Sequence, residues 1–167
     1  LYALKSESVT AADWLANNVF AADLSMDSLR GARIALSSLT DDARAIAQMD
    51  RHWFCGDSLL PNTASLPEKS FDVVVGNPPW EKIKATRHEF LRANGHDRHY
   101  GAIYDRIDEA AYSDHRAQRV SYAQLLNERF PTMRSGEPDL YKPFIELSLR
   151  LARPGGHVAM LVPAGLI

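Results

Sequence analysis

Phe71-Asp72-Val73-Val74-Val75-Gly76-Asn77-Pro78-Pro79-Trp80 decides how the rest of the chain is read. Val73 to Val75 is an unbroken β-branched run, the pattern of a parallel strand covered on both faces. Gly76 lets the backbone turn, and the two prolines forbid further ladder pairing as well as a helix. The residue before each proline is driven to extended geometry, so the Asn77 side chain and the carbonyls of Asn77 and Pro78 are expected to project from the strand's carboxyl end. In open α/β sheets that end is where ligands bind. Two oxygen acceptors and an indole plane on a stiff loop suit a flat, amine-bearing ring. A Pro-Pro turn with Trp80 as a core aromatic is the plainer reading of the same residues.

Upstream, a helix is expected to run to about Asn17-Asn18, with Trp14 and Leu15 facing the core. Val19-Phe20-Ala21-Ala22-Asp23 reads as a short buried strand ending in a carboxylate. Ser25 can cap the next helix, with Asp27 in its first turn and Leu29, Ala32, Leu36 and Leu39 as its apolar face. Asp41 and Asp42 open a further turn. A second strand, about Arg51 to Cys55, stops at Gly56-Asp57-Ser58, and Pro61 to Pro67 is loop. Downstream of Trp80 comes a polar, charged insertion, residues 81–138, with helical stretches at Arg87 to Arg92 and Arg106 to Phe130. A helix beginning at Pro143, with Phe144, Leu147 and Leu151 buried, is stopped by Arg153-Pro154-Gly155-Gly156. His157 to Val162 is another continuous apolar strand. This order is an α/β, doubly wound, mostly parallel pattern, in which Asp23, Asp57 and Asn77 end strands lying side by side.

A chain of 167 residues is the size of one domain. Its formal net charge of −2 lacks the basic character of a stand-alone nucleic-acid binder, so any grip on phosphates must lie largely elsewhere. The single cysteine, Cys55, excludes an internal disulfide framework and fits a reducing, cytoplasmic compartment. No apolar run approaches the ~20 residues of a membrane span, and no export signal is seen.

Asn77-Pro78-Pro79-Trp80 resembles the Asn/Asp-Pro-Pro-aromatic motif of S-adenosylmethionine-dependent amino methyltransferases. These act on the exocyclic amine of adenine, more rarely cytosine, and in one branch a protein glutamine. The likeness extends along the chain. Val19 to Asp23 with Ser25 resembles the second cofactor motif of the gamma class, whose acidic residue holds the ribose hydroxyls. Gly56-Asp57-Ser58-Leu59-Leu60 resembles the third, whose aspartate accepts from the cofactor's adenine amino group. Asp139 to Glu146, and on through Gly155-Gly156 to Pro163, is similar to the helix and strand after the catalytic loop. Glu81-Lys82-Ile83-Lys84 looks like the run that follows the motif in adenine-N6 methylases of restriction or phage-defence systems.

The resemblance implies a Rossmann-like methyltransferase fold, incomplete in this chain. It implies Asn77, Pro78, Pro79 and Trp80 as catalytic residues, and Asp23, Leu24, Asp57, Ser58 and Asn77 as contacts of S-adenosylmethionine. It also implies double-stranded DNA as substrate, with other defence subunits or a fused nuclease as partners. The residue types fit those roles. A carboxylate accepts two hydrogen bonds at once, which suits a diol at Asp23 and an amino group at Asp57. Each aspartate could equally be a turn cap. An adenine amine is a poor nucleophile because its lone pair is delocalised. Acceptors at Asn77 and the Pro78 carbonyl would localise that pair and stabilise the charge developing on nitrogen. Trp80 would stack on a base flipped from its duplex.

Other signals are weaker. Lys82, Lys84, Arg87 and Arg92 could meet phosphates or form a solvated face. His96 and His99 lack companions at metal-ligand spacing, so no metal site is expected. Cys55 is expected to be a small buried strand residue, and Tyr100, Tyr104, Tyr112 and Tyr122 packing residues. No Gly-x-Gly occurs. The chain also opens at Leu1 in apparent mid-helix and closes at Ile167 just past a strand. The expectation is therefore a piece of one catalytic domain, with the cofactor's glycine loop and the target-recognition region outside it, inactive by itself. The reading is a DNA adenine-N6 methyltransferase. RNA or protein-glutamine methylation stays open, and so does a catalytically silent methylase-like module.

Overall fold

A computed structural model describes residues 9–61, 66–83, 109–134 and 136–164. The chain divides into two compact units, Leu1–Leu66 and Pro67–Ile167.

In the first unit, Thr10 caps α1 (Ala11–Asn18), its hydroxyl accepting from the Asp13 N–H at 3.1 Å. Strand β1 (Ala21–Asp23) leads into α2 (Met26–Ser37). Ser25 caps that helix and Asp27 lies in its first turn, as the sequence predicts. Asp42 caps α3 (Ala43–Met49) by accepting from two amides, Arg44 at 2.8 Å and Ala45 at 3.3 Å. A 3-10 turn, Asp50–His52, precedes β2 (Trp53–Cys55), which pairs in parallel with β1. Fully buried Leu15 and Met49 join α1 to α3.

Two expectations fail here. Of the apolar stripe on α2 only Leu29 is buried; Ala32 and Leu39 are exposed. The strands are three residues long, about 10 Å, and cannot cover a twelve-residue helix of about 18 Å. Cys55 is exposed, because it closes a strand at the open end of this pair.

In the second unit, β3 (Phe71–Gly76) pairs in parallel with β4 (Ala152–Met160). Among the described residues the strands thus form two two-stranded sheets, where one continuous doubly wound sheet was expected. The α/β character and the parallel pairing are as read from sequence. The covering of β3 is not: Val73 is 42% exposed and Val75 74%. Alternate residues of a strand face opposite sides, and the other side, with Val74 facing inward, lies against α5 (Tyr141–Leu151).

Arg153-Pro154-Gly155-Gly156 does not lie between helix and strand. Helix α5 ends at Leu151, and the tetrapeptide is an irregularity inside β4. Phe71 pairs with Ala152 while Val73 pairs with His157, so three extra residues bulge from β4. Gly155 supplies the positive φ of 79° that this needs. A Cβ on Gly156 would lie 2.9 Å from the Phe71 carbonyl oxygen and 3.0 Å from that of Arg153. Because those neighbours are backbone, Gly156→Ala is expected to cost about 1–3 kcal/mol in urea unfolding. An unchanged midpoint would contradict this packing.

The insertion contributes α4 (Glu109–Arg129) and a 3-10 turn, Pro131–Arg134. The sequence placed the first of these well; the expected helix at Arg87 to Arg92 lies outside the described residues. Helix α5 begins at Tyr141, two residues before the proline expected to open it. Pro143 is tolerated at its third position because amides of the first turn have no helical partner. Leu126, Phe130, Met133, Leu147 and Leu151 form the core here. Glu146 knits it together: its carboxylate accepts from the Thr132 N–H at 3.0 Å, from the Thr132 hydroxyl at 2.7 Å and from Arg150. Burial raises the pKa of Glu146, but the Thr132 bonds and Arg150 outweigh it, and the net direction is downward.

Candidate functional site

The aspartates proposed for the cofactor lie in the first unit, at the carboxyl end of one parallel pair. Asp23 is in register with Cys55, and the Gly56 N–H extends the ladder by bonding the Asp23 carbonyl at 2.9 Å. Asp57 follows one residue later. The structure therefore brings these two residues, far apart in sequence, to adjacent strand ends. Each also closes a local turn. One Asp23 carboxylate oxygen accepts from the Ser25 N–H at 2.7 Å, and one of Asp57 from the Leu59 N–H at 2.9 Å. The cap and the ligand reading are compatible, because a carboxylate oxygen has more than one acceptor site. Leu24, between Asp23 and the helix cap, is 73% exposed and offers an apolar surface at this rim. Ser58 is half-buried in the turn after Asp57.

The catalytic candidates lie in the second unit. Asn77 leaves the carboxyl end of β3, and its side chain is exposed with no hydrogen-bond partner among the described residues. Pro78 is buried and anchors the loop, while Pro79 is exposed. Trp80 is 54% exposed, so it is not the core aromatic of the plainer reading.

Gly76 sits where the loop begins, and a Cβ there would lie 2.8 Å from the Met160 sulfur, the flexible end of a side chain that can move aside. Beyond the loop, the chain is fastened by a short antiparallel bridge between Lys82 and Asp139. The Ile83 N–H bonds the Pro138 carbonyl and the Leu140 N–H bonds the Glu81 carbonyl, both at 2.9 Å, with Ile83 and Leu140 buried. The two ends of the insertion are thus stitched together directly after the loop. Lys82, read from sequence as either a phosphate contact or part of a solvated face, is paired with Glu137 at 3.3 Å. Both partners are about half exposed, so the pair is worth at most ~1 kcal/mol and could open toward a phosphate. Lys84, Arg87, Arg92, His96, His99, Tyr100 and Tyr104 lie outside the described residues. Tyr112 and Tyr122 are half-buried on α4, as packing residues are. No cluster able to hold a metal ion occurs among the described residues.

Sequence reasoning missed the bridge and one main-chain contact. The Trp80 indole N–H donates to the Leu161 carbonyl at 3.3 Å. Nothing in local sequence marks it.

Residues 17–167 match the family model described as Eco57I restriction-modification methylase. The chain belongs to the Eco57I restriction-modification methylase family. No curated protein and no solved structure gives a significant match. The family match spans the β1 and β2 ends and the whole second unit, so both groups of candidate residues fall inside it. It makes this chain part of a DNA methyltransferase family of restriction-modification systems, a kind of methylase that generally uses S-adenosylmethionine. No helix among the described residues of this methylase is long and apolar enough to cross a membrane.

Proposed function

We propose that this methylase transfers a methyl group from S-adenosylmethionine to the N6 amine of an adenine flipped out of double-stranded DNA. The observation that carries the reading is the exposed Asn77 amide at a strand's carboxyl end, without a hydrogen-bond partner among the described residues and three residues before a half-exposed tryptophan. The cofactor, when bound, supplies a methyl group on a positively charged sulfur.

Asp23 and Asp57 fit such a group, since both present carboxylates at neighbouring strand ends beside the exposed Leu24. In this reading Asp23 holds the ribose hydroxyls, and Asp57, with Ser58 beside it, accepts from the cofactor's amino group. The Asn77 amide oxygen and the Pro78 carbonyl each accept one N–H of the target amine. That concentrates the lone pair on nitrogen and stabilises the positive charge it acquires. No strong base is required, because the extra proton can leave to water. Trp80 stacks on the flipped base, and stacking of this kind is worth about 1–3 kcal/mol. Positioning supplies much of the remaining acceleration.

The test is tritiated-methyl transfer by the intact protein to duplex DNA, RNA and protein in parallel, with the labelled product identified. The expected result is label in N6-methyladenine of DNA; label in RNA or glutamine instead would overturn the substrate. For the cofactor site, Asp57→Ala is expected to raise the dissociation constant for S-adenosylmethionine about 10- to 100-fold, the value of a hydrogen bond to a charged group. Calorimetry returning the parental constant would remove Asp57 from the site.

A further inference from the structure

The loop Asn77-Pro78-Pro79-Trp80 is closed by the backbone N–H and C=O of a single residue from elsewhere in the chain. The Leu161 N–H bonds the Gly76 carbonyl at 3.0 Å, just before the loop. The Leu161 carbonyl accepts the Trp80 indole N–H at 3.3 Å, at the loop's other end. Leu161 directly follows Met160, the partner of Gly76 in the β3–β4 ladder, so its backbone is placed by the sheet and not by a flexible side chain.

Two consequences follow. The indole has one donor and no acceptor, and that donor is already used. What Trp80 can offer a ligand is therefore its faces alone. A ring tethered at its N–H edge also keeps one plane, whereas an untethered exposed tryptophan samples several rotamers, each of which a stacking base would have to select against.

We infer that the Leu161 main chain is a positioning group for the proposed catalytic loop. It presets the Trp80 plane for stacking and denies Trp80 any part in reading base edges. The inference rests on the proposed function for its purpose, and on the Leu161 contacts for its geometry. It makes Trp80 a sensor of flatness, so discrimination of an amine-bearing base falls to Asn77 and the Pro78 carbonyl.

The experiment replaces Trp80 in the intact protein with 3-benzothienylalanine, which keeps the ring's size and shape but puts sulfur where the N–H was. It runs beside Trp80→Ala. In parallel, the indole N–H signals of the 15N-labelled parent are followed in D2O, with that of Trp80 identified by its loss in Trp80→Phe. The Trp80 N–H is expected to exchange at least about tenfold more slowly than a free indole, although the ring is half exposed. Benzothienylalanine is expected to raise KM for duplex DNA about three- to tenfold, the value of one hydrogen bond, with kcat and cofactor affinity little changed. Trp80→Ala is expected to lose about 10- to 100-fold in kcat/KM, because the stacking goes too.

Free-indole exchange, or a benzothienylalanine variant with the parental KM, overturns the positioning role whatever the enzyme's substrate. A protected N–H in a parent protein that methylates nothing overturns the proposed function, and with it the role assigned to the tether. The two failures therefore read out separately.

Discussion

Asn77→Ala in the intact protein is expected to lower the rate of methyl transfer by about 10²- to 10³-fold at saturating cofactor and DNA. That is the loss seen when one preorganised group facing transition-state charge is removed. The side chain is exposed and makes no hydrogen bond among the described residues, so the substitution leaves no buried group unsatisfied. Stability is expected to stay within about 0.5 kcal/mol of the parent. The combination is diagnostic, since a structural asparagine would change stability as well as rate. Single-turnover methylation and urea unfolding on the same preparation measure both. A variant that methylates at the parental rate would leave the loop without its proposed hydrogen-bond acceptor and the functional reading without its centre.

Phe130→Ala is expected to give the largest loss of stability, about 3–5 kcal/mol, for the opposite reason. Its ring is fully buried, at the point where α4 passes into the 3-10 turn. Its N–H closes the last turn of the helix on the Leu126 carbonyl at 2.8 Å. The guanidinium carbons of Arg129 and Arg150 stand 5.4 and 5.0 Å from its centroid. Truncation opens a cavity and removes two cation–π contacts at once. Arg150 keeps its bonds to Glu146 and to the Arg129 carbonyl, which restrains collapse into the cavity and keeps the cost high. Hydrogen exchange of α5 amides, with urea unfolding of the unit Pro67–Ile167, reads the effect. A loss below about 1 kcal/mol would mean that the insertion is not packed on α5 through this ring.

The elements themselves were largely readable in the sequence, because each carries a local signature. Ser25 is an oxygen-bearing cap and Asp42 opens a turn, β1 and β2 end where they were read although each begins two residues later, and α5 carries Phe144, Leu147 and Leu151 at helical spacing. That an aspartate stands at or just past the end of β1 and β2 was legible for the same reason, since it is a pattern in the chain itself. Much of what failed was a question of what covers a surface. Val73 and Val75 belong to an apolar run that looks identical whether one face of its sheet is packed or both, and Cys55 is small and apolar in either setting. Arg153 to Gly156 carries the residues of a helix stop, yet the glycines serve a bulge whose reason is the approach of Phe71 and Asp72 on another strand.

By itself, then, the order of residues determined where this methylase turns, caps and stiffens, and placed an asparagine, two prolines and a tryptophan beyond a strand. Only the tertiary structure decided which strand lies beside which, and that the Leu161 carbonyl, 81 residues on from Trp80, holds the indole. The physical reason is that caps, turns and periodicity act over a few residues. A hydrogen bond between a side chain and a distant main-chain carbonyl leaves no mark on either residue's type, since every peptide offers the same acceptor.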